Sequence, residues 1–169
     1  MSHLAPVPQD GGVVLCFGNA LHGDDGVAEA VGQALIAAGL PAGWSVQAVG
    51  TRGLDALAWL MDARAVVLVD AAEPAGQPGR LAERDPADVP LEAAAVGHGM
   101  GLGHLLRAWR GCVPDRTPTR LLTIEMDTVR SFHLGLSPAV AQAVGPAAWT
   151  LSTWLADCRW QQPVQALAG

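Results

Sequence analysis

Apolar residues recur along this chain in two rhythms: short unbroken runs, and longer stretches with steps of three and four. Val13-Val14-Leu15-Cys16-Phe17 is an unbroken run, the pattern of a strand buried on both faces. Behind it Val27, Ala30, Val31, Ala34, Leu35 and Ala38 fall on one face of a helix that Gly39 and Pro41 terminate. The alternation continues with a short strand over 45–49, a helix carrying Leu54, Leu57, Ala58 and Met61, and a strand over 64–69 that stops at Asp70. Pro and Gly fill 73–79, an edge strand fits 80–84, and Pro86 and Pro90 make 85–98 irregular. Leu102, Leu105, Leu106 and Trp109 mark another helix, and 120–126 a further strand. The last helix spans 138–158, where Gly145-Pro146 predicts a kink or a division into two pieces. Strands alternating with helices predict an α/β sandwich, with a mostly parallel sheet covered on both faces. The chain reads as one domain over 1–169, with 1–11 and 160–169 as loose tails.

In a parallel sheet the carboxyl ends of the strands share one edge, and ligands bind there. The loop Gly18-Asn19-Ala20-Leu21-His22-Gly23-Asp24-Asp25-Gly26 joins the first strand to its helix and carries two adjacent carboxylates to that edge. Asp70 ends the third strand, and His98, in Gly97-His98-Gly99-Met100-Gly101, precedes a helix that returns along the sheet. Two carboxylates and an imidazole form a mixed oxygen and nitrogen donor set for a divalent cation or a metal-bearing substrate. Each residue also has a plainer reading. An aspartate at a helix start is usually its N-cap, which suits Asp24 better than Asp25, since both cannot cap one helix. Asp70 is costly to bury unpaired, and His98 taken alone is a solvated loop residue. His22, His104 and His133 read first as structural, although His133 stands at another strand-to-helix joint where it can orient a ligand group.

Composition narrows the partners. The chain has 169 residues, half of them apolar, and a net charge of −6 without a basic stripe, which argues against nucleic acid. No apolar run approaches the ~20 residues of a membrane span, and no secretory signal is visible. Cys16, Cys112 and Cys158 form no C-x-x-C pair, so reduced thiols and a cytoplasmic location are expected. A nucleophile elbow, a phosphate-binding loop and a dinucleotide fingerprint are all missing. All ten cationic residues are arginine. A receiver-like signalling domain, which would place its acidic residues similarly, needs a lysine that this chain lacks.

The motifs Gly18-Asn19-x-Leu21-x-x-Asp24-Asp25-Gly26, Val69-Asp70-Ala71, His98 followed by Gly101-Leu102, and His133-x-Gly135-Leu136-Ser137-Pro138 together resemble the [NiFe]-hydrogenase maturation endopeptidases. The resemblance runs in order from residue 12 to 158. It implies a twisted five-stranded sheet between helices. It also implies a monomeric cytoplasmic endopeptidase that removes the C-terminal extension of a hydrogenase large-subunit precursor once nickel is installed. Nickel is then carried by the substrate, and the positions that contact it map onto Asp25, Asp70 and His98, with Asp25 and Asp70 also the catalytic pair. Asp25 stands where many members have glutamate, and Ala48-Val49-Gly50 where many have an acidic residue. Two other readings of the same cleft are a non-catalytic metallochaperone or binding module for the precursor, and a generic metal-dependent hydrolase.

Overall fold

The computed structural model of the protein describes residues 11–89, 102–112 and 117–157. Five strands form one sheet in the order β2-β1-β3-β5-β4. They are β1 (Gly12–Phe17), β2 (Trp44–Gly50), β3 (Ala65–Ala72), β4 (Leu81–Arg84) and β5 (Thr119–Glu125). The first three and β5 run parallel, and β4 pairs antiparallel with β5 at one edge. This is the expected mostly parallel sheet, with the predicted edge strand in place.

The helices are α1 (Val27–Ala38), α2 (Leu57–Asp62), α3 (Leu102–Cys112) and α4 (Pro138–Leu155). Alternation along the strands divides the core in two. Val14, Cys16, Val67, Val69, Leu122 and Ile124 face α1 and α4, against Val31, Leu35, Ala147 and Leu151. Val13, Leu15, Phe17, Val66, Leu68 and Leu121 face α2 and α3, against Trp59, Leu60, Leu105 and Leu106. The strands therefore read as continuous apolar runs because both of their faces are covered.

Several boundaries differ from the expectation for identifiable reasons. The first helix, expected to start at about Asp25, is preceded by a 3-10 turn over Asp24–Gly26, so α-helical geometry starts at Val27. β3 extends past Asp70 to Ala72, because Asp70 and its two successors still pair with Thr123, Ile124 and Glu125 of β5. α4 runs through Pro146 as one helix rather than two pieces. Gly11, assigned to the leading tail, is buried, and its carbonyl accepts the Arg64 N–H at 2.9 Å. The rest of the predicted tails lies outside the described residues. No helix among the described residues is long and apolar enough to cross a membrane.

Candidate active site

The sheet order places β1 between β2 and β3, so the chain leaves β1 toward one side and returns on the other. At such a switch point the loops beyond the strand ends diverge and leave a crevice. Register shows the divergence. β1 stays paired with β3 up to Cys16 and Val69, and its register with β2 shifts between Cys16 and Phe17, so that Phe17 is aligned with Gly50. Asp70 is the next residue of β3 beyond the last β1 partner, and it stands where the two strands part.

Asp25 arrives at the same opening from the loop after β1. Its side chain is buried, 6% exposed, and its carboxylate accepts the Asn19 N–H at 2.8 Å. Asn19 also closes the turn, its side-chain oxygen accepting the Leu21 N–H at 3.0 Å. Gly18 makes room for this packing. At φ +108° it adopts a backbone that L side chains rarely take, and a Cβ there would lie 1.9 Å from the Asp25 carbonyl oxygen.

Asp70 is partly buried and accepts the N–H of Ala71 at 2.9 Å. Loss of water around it, followed by the negative charge of Asp25, pushes its pKa up from 3.8 to about 7, against the smaller opposing effect of the Ala71 hydrogen bond. The negative charge of Asp25 is thus felt at Asp70. His98, the third predicted member, lies outside the described residues, and so does its flanking glycine loop. Arg110 of α3 anchors the chain that leads toward it, donating to the carbonyls of Pro86, Ala87 and Val89 at 2.6, 2.7 and 3.1 Å. Among the described residues no cluster of three or more metal-ligating side chains occurs.

Asp24 does something else. It makes no side-chain cap to its own helix. Its carboxylate instead accepts the Ser137 N–H at 2.6 Å, the Ser137 hydroxyl at 2.9 Å and the Asp127 N–H at 3.0 Å. Ser137 is the N-cap residue of α4, with Pro138 at the first helical position. Asp24 is therefore not the N-cap of α1 that its position suggests; its carboxylate pins the loop between β5 and α4. Sequence reasoning overlooked Ser137 and Asn19 in these roles. The Ser137-Pro138 pair, a frequent helix-start signature, was the signal available for the first. His22 and His133 meet through backbone: His133 N–H donates to Leu21 O at 3.0 Å, and Gly23 N–H donates to His133 O at 2.7 Å. At the end of β2, Gly50 O accepts the Gly18 N–H at 3.2 Å, and Arg52 is in a surface ion pair with Asp55 at 3.8 Å.

The fold is similar to that of known proteins with one common theme. The maturating endopeptidase HybD from Escherichia coli superposes with a TM-score of 0.68 at 23% identity, covering 86% of this chain and 91% of that one. HybD from Thermococcus kodakarensis gives 0.67 at 19% identity, over 86% and 99% of the two chains. A hydrogenase 2 maturation peptidase from a Thaumarchaeota archaeon gives 0.65 at 25% identity, over 87% and 99%. No curated protein sequence matches the chain. The family model HycI, described as hydrogenase maturation protease, matches residues 30–154, a span that takes in Asp70 and begins after the Asp25 loop. With the larger part of its length matched by that model, the chain belongs to the hydrogenase maturation protease family.

Proposed function

We propose that this protein removes the C-terminal extension from a nickel-loaded [NiFe]-hydrogenase large-subunit precursor, acting at the opening between β1 and β3. Membership of the maturation protease family supports the endopeptidase reading. The observation that carries the choice of residues is the coupling of Asp25 and Asp70, in which burial and like charge raise Asp70 to about 7. Carboxylates that repel each other in a crevice are relieved by a cation, so the pair favours a substrate that brings one. Their oxygens, with the imidazole of His98 completing the set, suit a borderline ion such as nickel. Nickel is here the substrate's cargo, and Asp25, Asp70 and His98 read its presence before the peptide is cut.

The same perturbation suits proton transfer. A carboxyl that titrates near neutrality takes a proton from an attacking water and returns it to the leaving amine within one cycle. Asp70 fills that role in this proposal, while Asp25, anchored by the Asn19 N–H, fixes the second carboxylate against it. We place the enzyme in the cytoplasm, in keeping with three cysteines that form no C-x-x-C pair, and take it as a monomer when free.

The test is to incubate the protein with nickel-loaded and nickel-free precursor and weigh the products by mass spectrometry. The loaded precursor is expected to lose its C-terminal peptide, and the nickel-free one to stay intact. Asp25→Asn, Asp70→Asn and His98→Ala are each expected to abolish shortening. A precursor left whole under every condition refutes the proteolytic reading. Equal trimming of loaded and nickel-free precursor refutes the role of nickel.

A further inference from the structure

Large exposed apolar side chains are unevenly placed on this protein. Ile36 stands on α1, Trp149 on α4, and Leu54 and Met61 on the 3-10 turn that leads into α2 and on α2 itself. Leu21, Val129, Phe132 and Leu134 instead flank a single backbone junction, with exposures of 55%, 41%, 90% and 74%. The junction consists of the His22–His133 parallel bridge and the Gly23–Val129 antiparallel bridge. It is closed by the hydrogen bonds of His133 to Leu21 and Gly23 described above. Phe132 sits at its tip with φ 56°, an uncommon conformation for an aromatic residue, and its ring lies 5.6 Å from that of His22. A fold that holds a bulky ring outward in a disfavoured backbone conformation, among other apolar side chains, marks a contact surface more often than an accident.

This lobe is tied by hydrogen bonds to the loop that carries Asp25. Asn19 bonds Asp25 through its backbone and Leu21 through its side chain. Asp24, next to Asp25, bonds Asp127 and Ser137 on either side of the segment that carries Val129, Phe132 and Leu134. Beside the lobe lies a recess of about 170 Å³, whose lining includes Asp24, Asp127, Thr128, Arg130, His133 and Ser137.

We infer that the lobe formed by Leu21, Val129, Phe132 and Leu134 docks an apolar stretch of the polypeptide substrate adjoining the bond to be cut. The inference rests on the protease reading above. A polypeptide laid across Asp25 and Asp70 passes over the loop that holds Asp25, and that loop is the one that presents Leu21. The lobe projects rather than encloses, so it matches an extended or flat protein segment and not a small molecule, which would need a concave site. The recess, lined by the Asp24 and Asp127 carboxylates as well as hydroxyl, imidazole and guanidinium groups, takes polar atoms of the same segment.

The test pairs Phe132→Ser/Leu134→Ser with Trp149→Ser, which removes an exposed apolar ring elsewhere. Steady-state cleavage of the precursor, direct titration of its binding and sedimentation are measured for each, with circular dichroism to confirm folding. The double variant is expected to raise both KM and Kd at least about tenfold, with kcat within about twofold of the parent. Trp149→Ser is expected to change neither. Unchanged KM and Kd in the double variant overturn the inference. So does a parent protein that dimerises through the lobe, shown by a monomeric variant whose Kd for precursor is unaltered. A parent that binds precursor without cutting it refutes the proposed function, and the Kd comparison still decides the docking surface. A parent that neither binds nor cuts refutes both.

Discussion

Asp70 on β3 and Glu125 on β5 stand near the carboxyl ends of adjacent parallel strands, and the fold treats the two acids in opposite ways. Glu125, 2% exposed, accepts the Gln77 N–H at 2.6 Å and the Ala75 N–H at 2.7 Å, and Arg80 lies 3.1 Å from its other oxygen. The hydrogen bond from Gln77, above all, holds its pKa below 4.5 in spite of burial. Asp70 has the N–H of its own neighbour, and among the described residues no ion pair holds it; burial and Asp25 push it the other way. Asp24 belongs with Glu125, since three donors from the β5–α4 loop and the start of α4 converge on its carboxylate. A carboxylate used to build the protein has its charge met from within. One whose charge is met by further negative charge is stabilised when something from outside brings the counter-charge.

The comparison is most sharply tested by activity. Asp70→Asn and Asp25→Asn are expected to lower precursor cleavage by roughly a thousandfold or more while the protein stays folded, measured as product formed per enzyme. Asp24→Asn, by contrast, is expected to act through stability and leave a folded fraction that still cuts.

Stability against pH comes next. Because the folded pKa of Asp70 is raised, its contribution is favourable below about pH 4 and is lost as pH rises from 3.8 through about 7. Asparagine carries no such penalty. Asp70→Asn is therefore expected to be more stable than the parent at pH 8, by at most about 4 kcal/mol, with the gap closing toward pH 4 in urea titrations. A variant that is less stable than the parent at pH 8 would place Asp70 with the structural acids.

Asp24→Ala removes the acceptor of three hydrogen bonds, two of them from backbone. A loss on the order of 3 kcal/mol is expected by chemical denaturation, with the segment 127–137 losing protection in hydrogen exchange. The smallest effect is expected for Glu125→Gln, a fall in melting temperature of several degrees at neutral pH. Its sign against pH is the reverse of that for Asp70. A depressed folded pKa gives stability that is present above 4.5 and lost as pH falls through the folded value, so the deficit of the variant shrinks on acidification.

Much of this arrangement was readable before any coordinates. The apolar runs at 13–17 and 66–69 and the three-four spacing at 27–38 are local consequences of burial on two faces or one, and they appear as β1, β3 and α1. That the Asp25 loop and Asp70 share an edge followed from parallel strands alone. Other features needed partners distant in the sequence. Nothing local in Glu125 announces its bonds to Ala75 and Gln77, fifty and forty-eight residues away. The assignment of Asp24 to the start of α4, and not α1, depends on a hydrogen bond spanning 113 residues. Of the kink or division that Gly145-Pro146 predicts, the division does not occur: the apolar face of Ala143, Ala147, Ala148 and Leu151 packs against α1 and the sheet, and the helix runs on.

The sequence by itself determined the layers and the sheet edge to which Asp25 and Asp70 are brought, because periodicity and the parallel connection rule act over short stretches of chain. The tertiary structure alone decided which acids are neutralised and which repel, since that depends on donors and charges delivered by other strands and loops. It alone joined Leu21 to Phe132 and Leu134, because a backbone bridge between residues more than a hundred positions apart leaves no trace in local pattern.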